Sequence, residues 1–188
     1  MRCKIGWLLL ILGAIFICFP FFYYQKQAAD MRLLEEALQL VENGKLDEID
    51  EKFLPVDSEE LTEAITLSIP AIQLEEAVLS KATKENLSVA LAQIKGHQEP
   101  GQGNYTIAGH RSLVYGRHFN RLPEIRVGDA VYLKASQKVF EYIVTSKETI
   151  EENDVDVLAD TDKIEITLIT CTEDGEKRIA VKGLLNAN

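Results

Sequence analysis

"IEITLITCTEDGEKRIAVKGL", Ile164 to Leu184, decides how this chain folds. Its residues alternate with a period of two on either side of Asp174-Gly175, which marks two strands, 164–171 and 178–184, joined by a hairpin. Successive strand side chains point to opposite faces. Ile164, Ile166, Leu168 and Thr170 therefore share one face, and Glu165, Thr167, Ile169 and Cys171 share a more polar one. After the turn Ile179 and Val181 form the apolar set, while Arg178, Ala180 and Lys182 face the other way. A two-residue type I′ turn at Asp174-Gly175 pairs Glu173 with Glu176 and Thr172 with Lys177, and sets Cys171 directly opposite Arg178. Directly opposed residues have Cβ atoms about 4.5–5.5 Å apart, so a guanidinium is expected beside the thiol.

The same short period recurs upstream. Strands are expected over 64–69, 72–79, 104–109, 130–135 and 139–147, with one helix over 83–94 and turns at Pro100-Gly101 and Gly128-Asp129. Many short strands with little helix predict an all-β domain, a closed or nearly closed barrel. Before it, residues 30–43 place Leu33, Leu34, Ala37, Leu38 and Val41 at helical spacing, and Asn43-Gly44 is a stop signal. Lys45 to Glu63 is acid-rich and weakly periodic, and reads as a stalk or a packed N-terminal arm.

The start of the chain differs in kind. Ile5 to Tyr24 carries no charge, and twenty residues at about 1.5 Å per residue match the roughly 30 Å hydrocarbon layer, which predicts one transmembrane helix. Arg2 and Lys4 precede it, so the positive-inside rule keeps the N-terminus cytoplasmic and sends the rest outside. A cleaved signal peptide competes with this reading, but Gln27-Ala28-Ala29 lacks a small residue at the first cleavage-site position, and the apolar run is long. The chain thus divides into a cytoplasmic start and anchor (1–25), a membrane-proximal helix with a stalk or arm (26–63) and a barrel (64–188). Its formal net charge of −10, with no basic patch, excludes a nucleic-acid binder. Cys3 and Cys18 lie in or beside the span, so the outer domain holds a single thiol and forms no internal disulfide.

A cation facing Cys171 favours thiolate, or steadies the oxyanion that forms when a thiolate attacks a carbonyl. A free cysteine is also often a small buried filler, and the hairpin alone leaves both readings open. Acyl transfer by a thiol needs a proton carrier. His97, in a polar loop, and His118, in "YGRHFNR", read as surface or packing residues. In "NYTIAGHRS" His110 stands at the strand's end on the face of Thr106 and Ala108, and Gly109 before it lets a backbone or substrate come close.

Taken together, "NYTIAGHRS", "GRHFNRL", "VGDAVYL" and "TLITCTEDGEKRIAV", in this order after one N-terminal anchor, resemble the sortases, cysteine transpeptidases of Gram-positive cell surfaces. The likeness runs from about Ala64 to Leu185. It implies an eight-stranded barrel and a His-Cys-Arg triad carried onto His110, Cys171 and Arg178. It also implies cleavage of a Leu-Pro-x-Thr-Gly or Leu-Pro-x-Thr-Ala sorting signal after Thr, a thioester on the cysteine, and transfer to the amine of a peptidoglycan precursor. The partners are then surface proteins bearing that signal, the precursor amine and the membrane. Ala108, Leu168, Thr170 and Thr172, with the backbone N–H groups near Thr172, are expected to shape the substrate groove. "AGHRS" with "GRHFNRL" resembles class D, with class A as the runner-up. No cofactor is required. The acidic loop Glu151 to Asp162 could hold Ca2+, but its carboxylates lack a fixed ligand spacing and read as a solvated loop. Two alternatives accompany the transpeptidase: a hydrolase using the same acyl-enzyme, and a barrel that binds without catalysis.

Overall fold

A computed structural model describes residues 2–186, apart from the side chains at 2–6, 8, 9, 46 and 51. The chain forms two compact units, residues 1–55 and 56–188.

The first unit is dominated by helix α1 (Arg2–Glu42), which is continuous where the sequence suggested a span and a separate second helix. Its end is the predicted one. Gly44 takes φ +69°, the Lys45 N–H reaches the Leu40 carbonyl at 2.9 Å and the Gly44 N–H reaches Val41 at 3.0 Å, which is a Schellman stop. The expected transmembrane helix is not supported in the same way. Among the described residues no helix is long and apolar enough to cross a membrane, and the side chains of Ile5, Gly6, Leu8 and Leu9, part of the expected span, lie outside those residues.

The second unit opens with α2 (Ser58–Glu63), whose Glu60 carboxylate is buried and accepts from the Ser80 N–H at 2.7 Å and the Ser80 hydroxyl at 3.0 Å. Eight strands follow: β1 (Ile65–Ile69), β2 (Leu74–Leu79), β3 (Leu91–Gln93), β4 (Asn104–Ala108), β5 (Ala130–Ala135), β6 (Lys138–Ile150), β7 (Glu165–Cys171) and β8 (Arg178–Leu185). They close into a barrel in the order β1-β2-β3-β4-β7-β8-β6-β5, with parallel pairs at β2–β3 and β4–β7. The helix expected over 83–94 is shorter, α3 (Lys84–Val89), capped by the Thr83 hydroxyl. Ala90 is already extended at φ −151°, and the three residues after it are β3. Three buried residues carry too short a pattern to show their period.

Inward-facing side chains from the strands, among them Leu67, Ile107, Leu133, Val144, Leu168 and Val181, make one core. A smaller cluster of Ile150, Val157 and Ala180, with Leu158 and Ile169 packed on it, covers part of the outer face of β7 and β8. The face that alternation marked as polar is thus partly roofed by the β6–β7 connection, and Ala180 is fully buried there.

Candidate active site

The β7–β8 ladder pairs Cys171 with Arg178, as the sequence predicted, although the turn differs. A type I′ turn needs positive φ at both central residues, and of Asp174 and Gly175 only Gly175 has it, at +77°. Instead the Gly175 N–H closes a turn onto the Thr172 carbonyl at 3.1 Å, and Asp174 accepts from the Glu176 N–H at 3.1 Å. The loop is four residues long rather than two. Both loops are even and centred on the same point, so the register is the same.

The parallel β4–β7 pair supplies the third residue. Ala108 lies beside Ile169, and the Gly109 N–H continues the ladder to the Ile169 carbonyl at 3.1 Å. The ladder ends there, and one further step in the same register would bring His110 level with Cys171. Ala108, Ile169 and Ala180 form a row across β4, β7 and β8, and Cys171 with Arg178 is the next pair on the same face. The Thr170 hydroxyl, fully buried, donates to the Gly109 carbonyl at 2.9 Å and ties the histidine-bearing segment to the cysteine-bearing strand.

The predicted groove residues divide. Ala108 is half-buried on the reactive face. Leu168 is fully buried in the main core, and Thr170 is fully buried with its hydroxyl engaged, so neither side chain lines a groove; strand parity points both inward. Thr172 belongs to the hairpin: its N–H donates to the Lys177 carbonyl at 2.9 Å and its hydroxyl accepts from the Lys177 N–H at 3.0 Å. That N–H is therefore committed and does not face an incoming carbonyl. Gly109 is a site of close approach, but what approaches is the core. A Cβ there would meet Leu91 Cδ2 at 2.5 Å and Phe119 Cδ2 at 2.7 Å.

Cys171 is half-buried. His110 is open to solvent along one side. The walls about its imidazole desolvate it and lower its pKa below the ordinary value of 6.5, and the neighbouring His118 pushes the same way. When charged, His110 is thus a stronger acid than a free histidine. The Arg178 guanidinium is turned along the hairpin, donating to the Gly175 and Lys177 carbonyls at 3.1 Å each and pairing with Glu152. Lys177 pairs with Glu151 at 2.7 Å. The β6–β8 register explains both contacts. Ile150 lies opposite Arg178, so the two acids that follow β6 meet the two bases that precede the end of the hairpin. The sequence placed both acids in a solvated acidic loop rather than against these bases, although a Glu-Glu pair after one strand and Lys-Arg at the start of another is a readable complement.

Two further residues were missed. Arg111 reaches Glu173 at 3.7 Å, linking the loop after His110 to the hairpin. Glu76, on β2, holds His118, which the sequence placed at the surface or in packing; it is packed, only 2% exposed. His97 lies away from the row, beside a polar cavity of about 410 Å³ lined in part by Gln93, Gln98 and Tyr105. In the acidic loop Glu151, Glu152 and Asp160 are all engaged. The last accepts from Lys95 and the Asn104 N–H at 2.8 Å each, and both contacts hold its carboxyl below the usual range.

Residues 67–186 match the family model described as the sortase domain. The chain is 32% identical to sortase A of Bacillus anthracis over 189 residues, 94% of this chain and 90% of that one. A solved structure of Listeria monocytogenes sortase A superposes with a TM-score of 0.63 at 30% identity, over 66% of this chain and 87% of the other. A Clostridium perfringens sortase D5 transpeptidase gives 0.64 over 86% of this chain and 98% of that one; at 22% identity this is a likeness of fold. These relatives span the A and D classes and do not separate them.

Proposed function

Because the chain belongs to the sortase family of cysteine transpeptidases, we propose that it cleaves a sorting signal of the Leu-Pro-x-Thr-Gly or Leu-Pro-x-Thr-Ala type after Thr and passes the acyl group to an amine of a cell-wall precursor. The observation that carries this reading is the pairing of Cys171 with Arg178 across β7 and β8, with His110 two residues beyond the β4–β7 pair of Ala108 and Ile169. In the proposed reaction the Cys171 thiolate bonds to the Thr carbonyl carbon and the carbonyl electrons move onto oxygen. The C–N bond then breaks, and His110 gives its proton to the leaving nitrogen. The lowered pKa of His110 suits that donation. An incoming amine attacks the thioester, returns a proton to His110 and expels the thiolate. Arg178 exchanges its contacts with Glu152 and the hairpin carbonyls for the developing oxyanion or the substrate carbonyl, where a planar fork of donors is worth most.

The class D reading rests on "AGHRS" and "GRHFNRL", with class A next. Anchoring by a single span, with the barrel outside the cell, rests on the uncharged run Ile5 to Tyr24 and the cations before it. Retention of the chain in carbonate-washed membranes tests it, and release of intact chain by carbonate refutes it.

The central test is intact mass spectrometry of the full-length chain in detergent after incubation with each signal peptide. A Cys171 adduct that an added amine discharges supports the transpeptidase. An adduct cleared equally fast without amine marks a hydrolase, and folded protein with a reactive thiol but no adduct refutes both signals.

A further inference from the structure

The segment after β4 leaves the barrel at His110 and returns eight residues later. Arg111 bridges to His118, and the Phe119 N–H donates to the His110 carbonyl at 3.2 Å. His110 and His118 are thus the two shoulders of one closed loop. His118 sits almost wholly inside, 2% exposed, in a left-handed conformation with φ +50° that few non-glycine residues adopt. Glu76 spends both carboxylate oxygens on it. Oε1 accepts the His118 backbone N–H at 2.6 Å, and Oε2 lies 2.9 Å from Nδ1. A carboxylate only accepts, so Nδ1 carries a proton.

The other ring nitrogen, Nε2, is buried without a hydrogen-bond partner. A buried orphan nitrogen and a strained backbone each cost stability, and such costs gather where a structure uses them. Glu76 is on β2, in the barrel wall, opposite Leu67 of β1 and two residues before β2 meets β3 at Val78. It fixes the far shoulder of the loop to a rigid strand. The near shoulder is His110, whose carbonyl is tied to Phe119 immediately after His118.

We propose that the Glu76–His118 pair is a positioning device for His110: it pins the loop that carries His110 to the barrel wall and holds a second imidazole behind it. The proposal rests on the reading of His110 as the proton carrier. The charged and titratable groups around the two rings are Glu76 on β2, Arg111 across the bridge, and Cys171 and Arg178 across the ladder, with Glu173 reaching in through Arg111. Of these, His118 lowers the pKa of His110, second to desolvation.

The test uses the full-length chain in detergent, with histidine rings labelled for NMR. The chain has three histidines, and His97, by the separate cavity, serves as the reference. In the parent protein the His110 curve is expected to lie below its ordinary midpoint and to carry the influence of His118, with the His97 ring as the spectral reference. The variant His118→Asn keeps an N–H donor for Glu76. It is expected to raise the His110 midpoint, because a nearby like charge is removed. The acid limb of the pH–rate profile for thioester formation is expected to move up with the His110 midpoint.

A purely structural lesion would lower the plateau and leave the limb in place, and that result overturns the proposal. So does a His110 curve in the parent protein that is blind to His118, which decides the matter even if the variant fails to fold. A raised midpoint without any movement of the limb supports the coupling and instead refutes His110 as the proton carrier.

Discussion

Replacing Gly109 by alanine tests how the fold places the histidine. The added Cβ would lie 2.5 Å from Leu91 Cδ2, 2.7 Å from Phe119 Cδ2 and 3.0 Å from Phe119 Cγ. Carbon atoms pack at about 3.5–4.0 Å, so one wall must retreat by roughly 1 Å. Both neighbours are fully buried, and neither is a loose side-chain tip. Overpacking of this kind costs about 1–3 kcal/mol. For the unit spanning residues 56–188, at about 3–6 °C per kcal/mol, the melting temperature should fall by roughly 5–15 °C. The chemistry should suffer beyond the loss of stability. Phe119 donates to the His110 carbonyl, and Gly109 itself bonds to β7 at both its N–H and its carbonyl. A 1 Å shift of His110 relative to Cys171 is expected to slow thioester formation about 10²-fold. Circular-dichroism melting and the rate of adduct formation, read at a temperature where the variant is folded, give the two numbers. A melting temperature within about 1 °C of the parent and a rate within about 2-fold would refute the reasoning from close packing.

Other substitutions probe the same row. Thr170→Val keeps the shape but removes the hydroxyl that donates to the Gly109 carbonyl; it should cost about 1–3 kcal/mol in urea unfolding, and no change would mean the tether carries nothing. Arg178→Lys should lose most of the transfer activity, because a point ammonium does not reproduce a planar fork of donors; near-parental rates would remove Arg178 from the reaction. Cys171→Ala should abolish the adduct while leaving the melting curve in place, since the side chain lies outside the main core; a second adducted residue would relocate the nucleophile. Chelator should change neither activity nor melting temperature, because Glu151, Glu152 and Asp160 are already held by Lys177, Arg178 and Lys95. A drop restored by Ca2+ would refute that.

The opposition of Cys171 and Arg178 was legible in the sequence because it depends on parity alone. Two strands joined by any even loop centred between Asp174 and Gly175 give that pair, so the misjudged turn did no harm. Alternation likewise sends Ile166 and Leu168 to the core, and the stop at Asn43-Gly44 follows from one glycine's freedom at positive φ. Parity also pointed Leu168 and Thr170 inward, and their assignment to the groove went against it.

What periodicity does not carry is which distant strand lies next door. That the segment carrying His110 is brought toward Cys171 follows from the parallel β4–β7 pairing, a contact some sixty residues long in sequence that exists only because the barrel closes in one order. The same closure brings Glu152 to Arg178 and Glu76 to His118, and buries a face of β7 and β8 that reads as polar in the chain. By itself the sequence determined which way each strand residue points and which partner faces it across a tight turn, since both are set by local backbone geometry. The tertiary structure alone decided which proton carrier, which counter-charges and which walls surround the thiol, since those are chosen by strand neighbours that no local period encodes.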